Sequence, residues 1–151
     1  MTTPKNTTGL KLDPKRKAVL VDALLNQNYK QVQGQLMVEA GDEATEGDGS
    51  IVDFDRFCCL GVATNVCALK GVVEWGKREV YGSQGDLPDP VLSWYLGHPA
   101  SPEEVATWDS ISETLIKFND GGTTYNTSTG RYDRIGAKTF KFIANWIDKN
   151  L

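Results

Sequence analysis

Long apolar runs are missing from this chain. No uninterrupted segment approaches the roughly 20 residues that a membrane-spanning helix needs. The opening stretch "MTTPKNTTGL" is polar and has no apolar h-region, so no signal peptide is expected there. Histidine is nearly absent: His98 is the only one. There is no HExxH pair, no nucleophile elbow and no phosphate loop, and "GSQGDLP" has two glycines without a following lysine. Positive charge is also short. The chain has 16 Lys+Arg against 20 Asp+Glu, a net charge of -4. That argues against a nucleic-acid coat, which needs a basic face.

Cysteine is sparse and poorly spaced for chemistry. Cys58 and Cys59 are neighbours and Cys67 follows. Adjacent cysteines rarely pair, because the geometry is strained. Separated C-x-x-C pairs are lacking, so neither a metal nor a cofactor is expected. Free thiols fit a reducing cytoplasm. Two readings of Cys58 stand side by side. Near a helix N-terminus capped by Asp55 it would be a low-pKa nucleophile, with His98 the one histidine able to serve as base. Otherwise Cys58 and Cys59 are small hydrophobes packed where a helix meets a sheet, the preferred reading. His98, just past a helix end, is read as a surface or capping residue.

What is present suits one domain. The chain has 151 residues, 40% of them apolar, enough for a single core. Residues 1–12 are expected to form a flexible N-terminus and 13–151 a single α+β domain, with four or five helices and a small antiparallel sheet. Asp13 as N-cap and Pro14 at the first helical position open a helix that stops near Asn26 to Asn28. Leu20, Val21, Leu24 and Leu25 form its buried face. Tyr29 to Glu39 alternates and reads as one strand with Gly34 at a bend. Gly41 to Asp55 reads as an acidic, solvated loop, with "IVDF" as a short second strand. The cysteine helix ends at Gly71. "VVEW" to "KREVYG" reads as a hairpin or two short strands. Asp89, Pro90 and Gly97 bound another helix. Ser110 and Glu113 form a capping box for the next, which ends at Asn119 to Gly122. "GGTTYNTSTGRYDRIG" is a long polar segment, or a small hairpin around "NTSTG". The last helix, about Ala137 to Asn150, buries Phe140, Ile143, Ala144 and Ile147.

The most suggestive polar residues fall in two places. On a single strand Gln31, Gln33 and Gln35 would share one side. Amides donate and accept, which suits a nucleobase edge or a polar small molecule. Asn119 and Asp120 end a helix where the long polar segment begins. Arg131 and Arg134 would pair with phosphates, and Tyr125, Tyr132 or Trp75 would stack a base. The plain alternative is a polar strand face beside an ordinary helix end.

These segments together resemble a family of small proteins found in bacteriophages and in actinobacterial and other bacterial genomes. "ALLNQNYKQVQGQL", Ala23 to Leu36, matches its opening pattern through Tyr29, Gln31, Gly34 and Leu36. "FCCLGV", Phe57 to Val62, matches letter for letter. Leu87, Pro88, Val91 and Trp94 follow in order, then Leu115, Phe118, Asn119 and Asp120, then Phe140, Ile143, Ala144 and Ile147. The chain departs from the pattern at Gly122 to Lys138, which stretch a short link. The resemblance carries over no activity. It implies a phage or prophage origin and a role in the phage–host contest. The expectation is therefore a non-enzymatic binding protein of the host bacterial cytoplasm. It would capture a small polar or nucleotide-like signal at Gln31, Gln33, Gln35, Asn119, Asp120, Arg131 and Arg134, and so counter host defence. The alternatives are a protein-binding inhibitor of a host enzyme and a cysteine-dependent enzyme built on Cys58. No nucleic-acid or membrane partner is expected.

Overall fold

The computed structural model describes residues 3–40, 55–76, 80–82 and 85–151; of residues 123, 124 and 132–135 it describes the backbone alone. The expected acidic loop, the "IVDF" strand and part of the "KREVYG" strand lie outside the described residues. Those described form an α+β fold. In chain order the elements are α1 (Pro14–Asn26), β1 (Lys30–Gln31), β2 (Met37–Val38), β3 (Arg56–Phe57) and α2 (Cys59–Leu69). Then come α3 (Asp89–Leu96), α4 (Pro102–Asp120), β4 (Gly122–Asn126), β5 (Arg131–Ile135) and α5 (Phe140–Asn150).

Local signals explain most helix ends. The Asp13 carboxylate accepts from the N–H groups of Lys15 and Arg16, and Pro14 fills the first turn of α1. Its buried side carries Leu20, Ala23 and Leu24, while Leu25 is 43% exposed. The expected face was turned by one position. α3 begins at Asp89 itself, after Pro88, and ends at Gly97 in the left-handed region (φ 82°). α4 starts earlier than expected. The capping box is Ser101 with Glu104, reinforced by Pro102, and Ser110 with Glu113 lie inside the helix. The Thr139 hydroxyl accepts from Phe142 N–H and opens α5.

Two small sheets result. The first has the order β1-β3-β2, with β3 parallel to β1 and antiparallel to β2. The sheet is therefore mixed rather than wholly antiparallel. The single strand expected over Tyr29 to Glu39 is two short ones, because Gly34 turns the chain at φ 85°. The second sheet is the hairpin β4–β5, antiparallel from Gly122↔Ile135 to Asn126↔Arg131. The long polar segment is thus the hairpin around "NTSTG".

The core lies between α1, α5 and α2, with α3 and α4 closing it. Phe140, Ile143, Ala144 and Ile147 are all buried, as the helical spacing predicts. Tyr95, 2% exposed, donates its hydroxyl proton to the Ala63 carbonyl. Residues 3–12, expected to fray, carry Leu10 and Leu12 into this core. Leu12 N–H donates to the Leu151 carbonyl at 3.2 Å. Asn6 donates to the Asn150 carbonyl, and Trp146 Nε1 to that of Pro4.

Gly61 decides how closely α2 approaches the sheet. A Cβ there would overlap the Leu36 carbonyl oxygen, a backbone atom that cannot swing aside. In an exposed helix interior Gly→Ala stabilises by about 1 kcal/mol. Here the sign reverses. Gly61→Ala should cost about 3 kcal/mol or more through overpacking. Ile143→Ala and Ile147→Ala should each cost about 2–5 kcal/mol through cavity formation. Urea denaturation of the three variants checks both, and an unshifted midpoint for Gly61→Ala would mean that α2 does not press on Leu36.

Candidate functional site

The end of α4 brings Asn119 to the junction of β1, β3 and α2. Asn119 is 1% exposed. Its Oδ1 accepts from Gln31 Nε2 at 2.9 Å and from Cys59 N–H at 3.1 Å. Its Nδ2 donates to the Val32 carbonyl at 2.8 Å and to Asp120 Oδ1 at 3.0 Å. An amide can make four such bonds, so this one is saturated. Asp120 Oδ1 also accepts from Gly34 N–H at 3.0 Å. Gln31 Nε2 reaches the Lys138 carbonyl as well, at 2.9 Å. Three predicted site residues, Gln31, Asn119 and Asp120, therefore meet.

Of the other four, Gln35 stands beside them on the wall of a cavity that Asn119 and Asp120 also line, while Gln33 is placed by the bend and Arg131 by the hairpin. Gln35 is buried and donates to the Met37 carbonyl at 3.0 Å. Gln33 is half-buried in the bend between β1 and β2. The shared amide face was a consequence of assuming one strand, and the turn at Gly34 removes it. Arg131 lies four residue pairs up the hairpin from Gly122↔Ile135, ~14 Å at the usual rise of an antiparallel strand. The Arg134 and Tyr132 side chains lie outside what the structure describes. Trp75 is also committed to packing. Its Nε1 donates to Asn65 Oδ1, whose Nδ2 donates to the Tyr29 hydroxyl, and Tyr29 stands edge-on to Phe57 at 5.0 Å.

A cavity of about 110 Å³ with mostly apolar walls opens beside Asn119, lined by Gly34, Gln35, Cys58, Cys59, Leu60, Ile116 and Asp120 among others. Sequence reasoning missed Gly61 and the cap of α2, although both sit in "FCCLGV". Cys58, not Asp55, is the N-cap: its Sγ accepts from Gly61 N–H at 3.3 Å. The Asp55 carboxylate instead accepts from Ala40 N–H at 2.9 Å.

The thiols are buried and far from nucleophilic. Burial pushes Cys58 up to about 12; the nearby Asp120 carboxylate adds to this, while the Gly61 N–H works against it. Burial likewise raises Cys59, and takes Cys67 to about 12 against the pull of Arg16 and Lys70. His98 supplies no base here. It is exposed and holds Glu104 at 2.8 Å, on the capping box of α4. The backbone N–H of Ser101, helped by His98, holds the Glu104 carboxyl below its usual range. Among the described residues no group of three or more His, Cys, Asp or Glu side chains is placed to hold a metal ion. No described helix is long and apolar enough to cross a membrane.

No family model, curated protein or solved structure matches this chain.

Asn119→Ala should cost about 3 kcal/mol, because the Cys59 N–H and Val32 carbonyl would each be left unpaired at about 1–3 kcal/mol. Gln31→Ala, on a half-buried residue, should cost about 1 kcal/mol. Equal midpoints for the two variants in chemical denaturation would contradict the saturated junction.

The thiols predict an alkaline limit. An acid whose folded pKa lies above its unfolded one stabilises the fold below the unfolded value and loses that contribution as pH rises through the folded one. Stability should thus be full below the ordinary thiol value of 9.0 and fall as pH rises toward about 12. Denaturation midpoints across that range check the direction. Iodoacetamide at neutral pH should label Cys58 only as fast as the protein unfolds, and rapid labelling of the folded protein would restore the enzyme reading.

Proposed function

We propose that this chain is a non-enzymatic binding protein that engages a protein partner through the β4–β5 hairpin. The observation that carries the reading is the hairpin's placement. It is inserted between α4 and α5, its strands pair with each other, and its contacts with the described helices are sparse. Near its tip Tyr125 is 52% exposed, and Arg131 is exposed too. Tyrosine and arginine are the residue types that most often anchor protein interfaces. The hairpin is also where the chain departs from the pattern of the phage and bacterial family it resembles. That resemblance supports a partner inside a host bacterium, with inhibition of a host defence enzyme as the outcome. The buried thiols of raised pKa argue against the cysteine-enzyme alternative.

One observation favours capture of a small ligand, namely the cavity beside Asn119. At about 110 Å³ it is well below the ~300–1,000 Å³ of pockets for drug-sized ligands. Its ligand would be a molecule of a few heavy atoms, smaller than a nucleotide.

The test is affinity capture from host cells that produce the tagged protein, comparing the parent with Tyr125→Ala and Arg131→Ala. A host protein held by the parent should be held about 1.5–3 kcal/mol more weakly by Arg131→Ala, the scale of a charge-assisted contact. Circular dichroism and melting temperature should not move. Undiminished capture by both variants would refute the hairpin reading. Native mass spectrometry of the parent would show a retained compound if the small-ligand reading is the right one.

A further inference from the structure

α1 and α2 pack side by side, and their C-terminal halves leave a groove of about 310 Å³ between them. Apolar side chains line it: buried Ala23 and partly exposed Val19 come from α1, and buried Val66 from α2. Leu69, on the last turn of α2, stands beside this hollow and is 77% exposed. A leucine so placed gains nothing from the core of its own chain, and burying it would be favourable. The groove also carries one acid and one base. Asp22 comes from α1, oriented by Asn26 and Gln27, whose side-chain amides donate to it at 2.8 and 3.2 Å. Lys70 follows α2, its ammonium 5.8 Å from the Trp94 ring centre.

We propose that this groove is a self-association surface, in which Leu69 of one copy fills the hollow of a second copy about a two-fold axis. A two-fold contact must be self-complementary, since residue i meets residue j and j meets i. This groove satisfies that in shape, with a protruding leucine next to an apolar hollow. It satisfies it in charge as well, because each copy's Asp22 meets the other's Lys70. A rim of one sign would repel its own copy, and a partner of one sign would meet a like charge here. The surface is separate from the hairpin, so a dimer would present two hairpins.

Sedimentation velocity of the full chain, from micromolar to millimolar concentration, reads the association directly. The parent should dimerise. Leu69→Glu should be monomeric with an unchanged circular dichroism spectrum, since the side chain is exposed in the monomer. Asp22→Lys should weaken the dimer by about tenfold or more. The exchange of charges in Asp22→Lys with Lys70→Asp should restore most of that loss. A parent monomeric at every concentration overturns the proposal, whether or not another molecule occupies the groove. So does a dimer that Leu69→Glu leaves intact, or a charge exchange that restores nothing.

Discussion

The carboxamide of Asn119 is the constraint on which the middle of this fold depends. Its four hydrogen bonds join α4 to β1 through Gln31, to Val32 just after that strand, to the first N–H of α2 through Cys59, and to its own neighbour Asp120. Asp120 extends the junction to Gly34. Each bond alone contributes modestly, because unfolding returns both groups to water. Together they select one arrangement, because any shift of α4 would leave several buried groups unpaired at once. The Gly61 contact acts alongside. With Cys58 N–H donating to the Leu36 carbonyl at 3.1 Å, the chain after β3 must turn into α2 directly against that backbone.

This arrangement explains why the "FCCLGV" segment contains the residues it does. Phe57 pairs with both neighbouring strands and packs on Tyr29. Cys58 is the N-cap, where its sulfur receives the Gly61 N–H. Cys59 fills space beneath α4, its sulfur 3.7 Å from the Leu115 carbonyl. Leu60 and Val62 are buried and Gly61 allows the close approach. Both thiols are buried in this arrangement, and the same burial suppresses their ionisation.

Helix ends were legible in the sequence because caps are local. Asp13-Pro14, Gly71 and Gly97 announced their roles within a turn or two of chain. Where two local signals competed, as with Ser101–Glu104 and Ser110–Glu113, the one carrying proline at the first helical position prevailed. The glutamine row misled for a different reason. Period-two alternation is real in "KQVQGQL", yet the Gly34 turn is held by Asp120, 86 positions away. Nothing within the segment reports that bond. The candidate site was legible in the same partial way. Gln31, Asn119 and Asp120 are indeed neighbours, but sequence could not say that their polar groups face one another. The split of Arg131 from them follows from β-pairing that a loop reading does not contain.

Saturation at the junction also bears on what the protein can recognise. The N-terminus of a helix ordinarily attracts anions through its free N–H groups. At α2 two of those donors are already taken, Cys59 N–H by Asn119 and Gly61 N–H by the Cys58 sulfur. The adjoining cavity carries the Asp120 carboxylate, which opposes a phosphate. A nucleotide would thus find spent donors, an unfavourable charge and too little room. Groups that hold a fold together by using every hydrogen bond they can make are poor recognition groups for the same reason. Exposed side chains stand elsewhere, among them Tyr125 and Arg131 on the hairpin and Leu69 along the groove. That separation of lock from exposed surface is what supports the proposal of a protein partner.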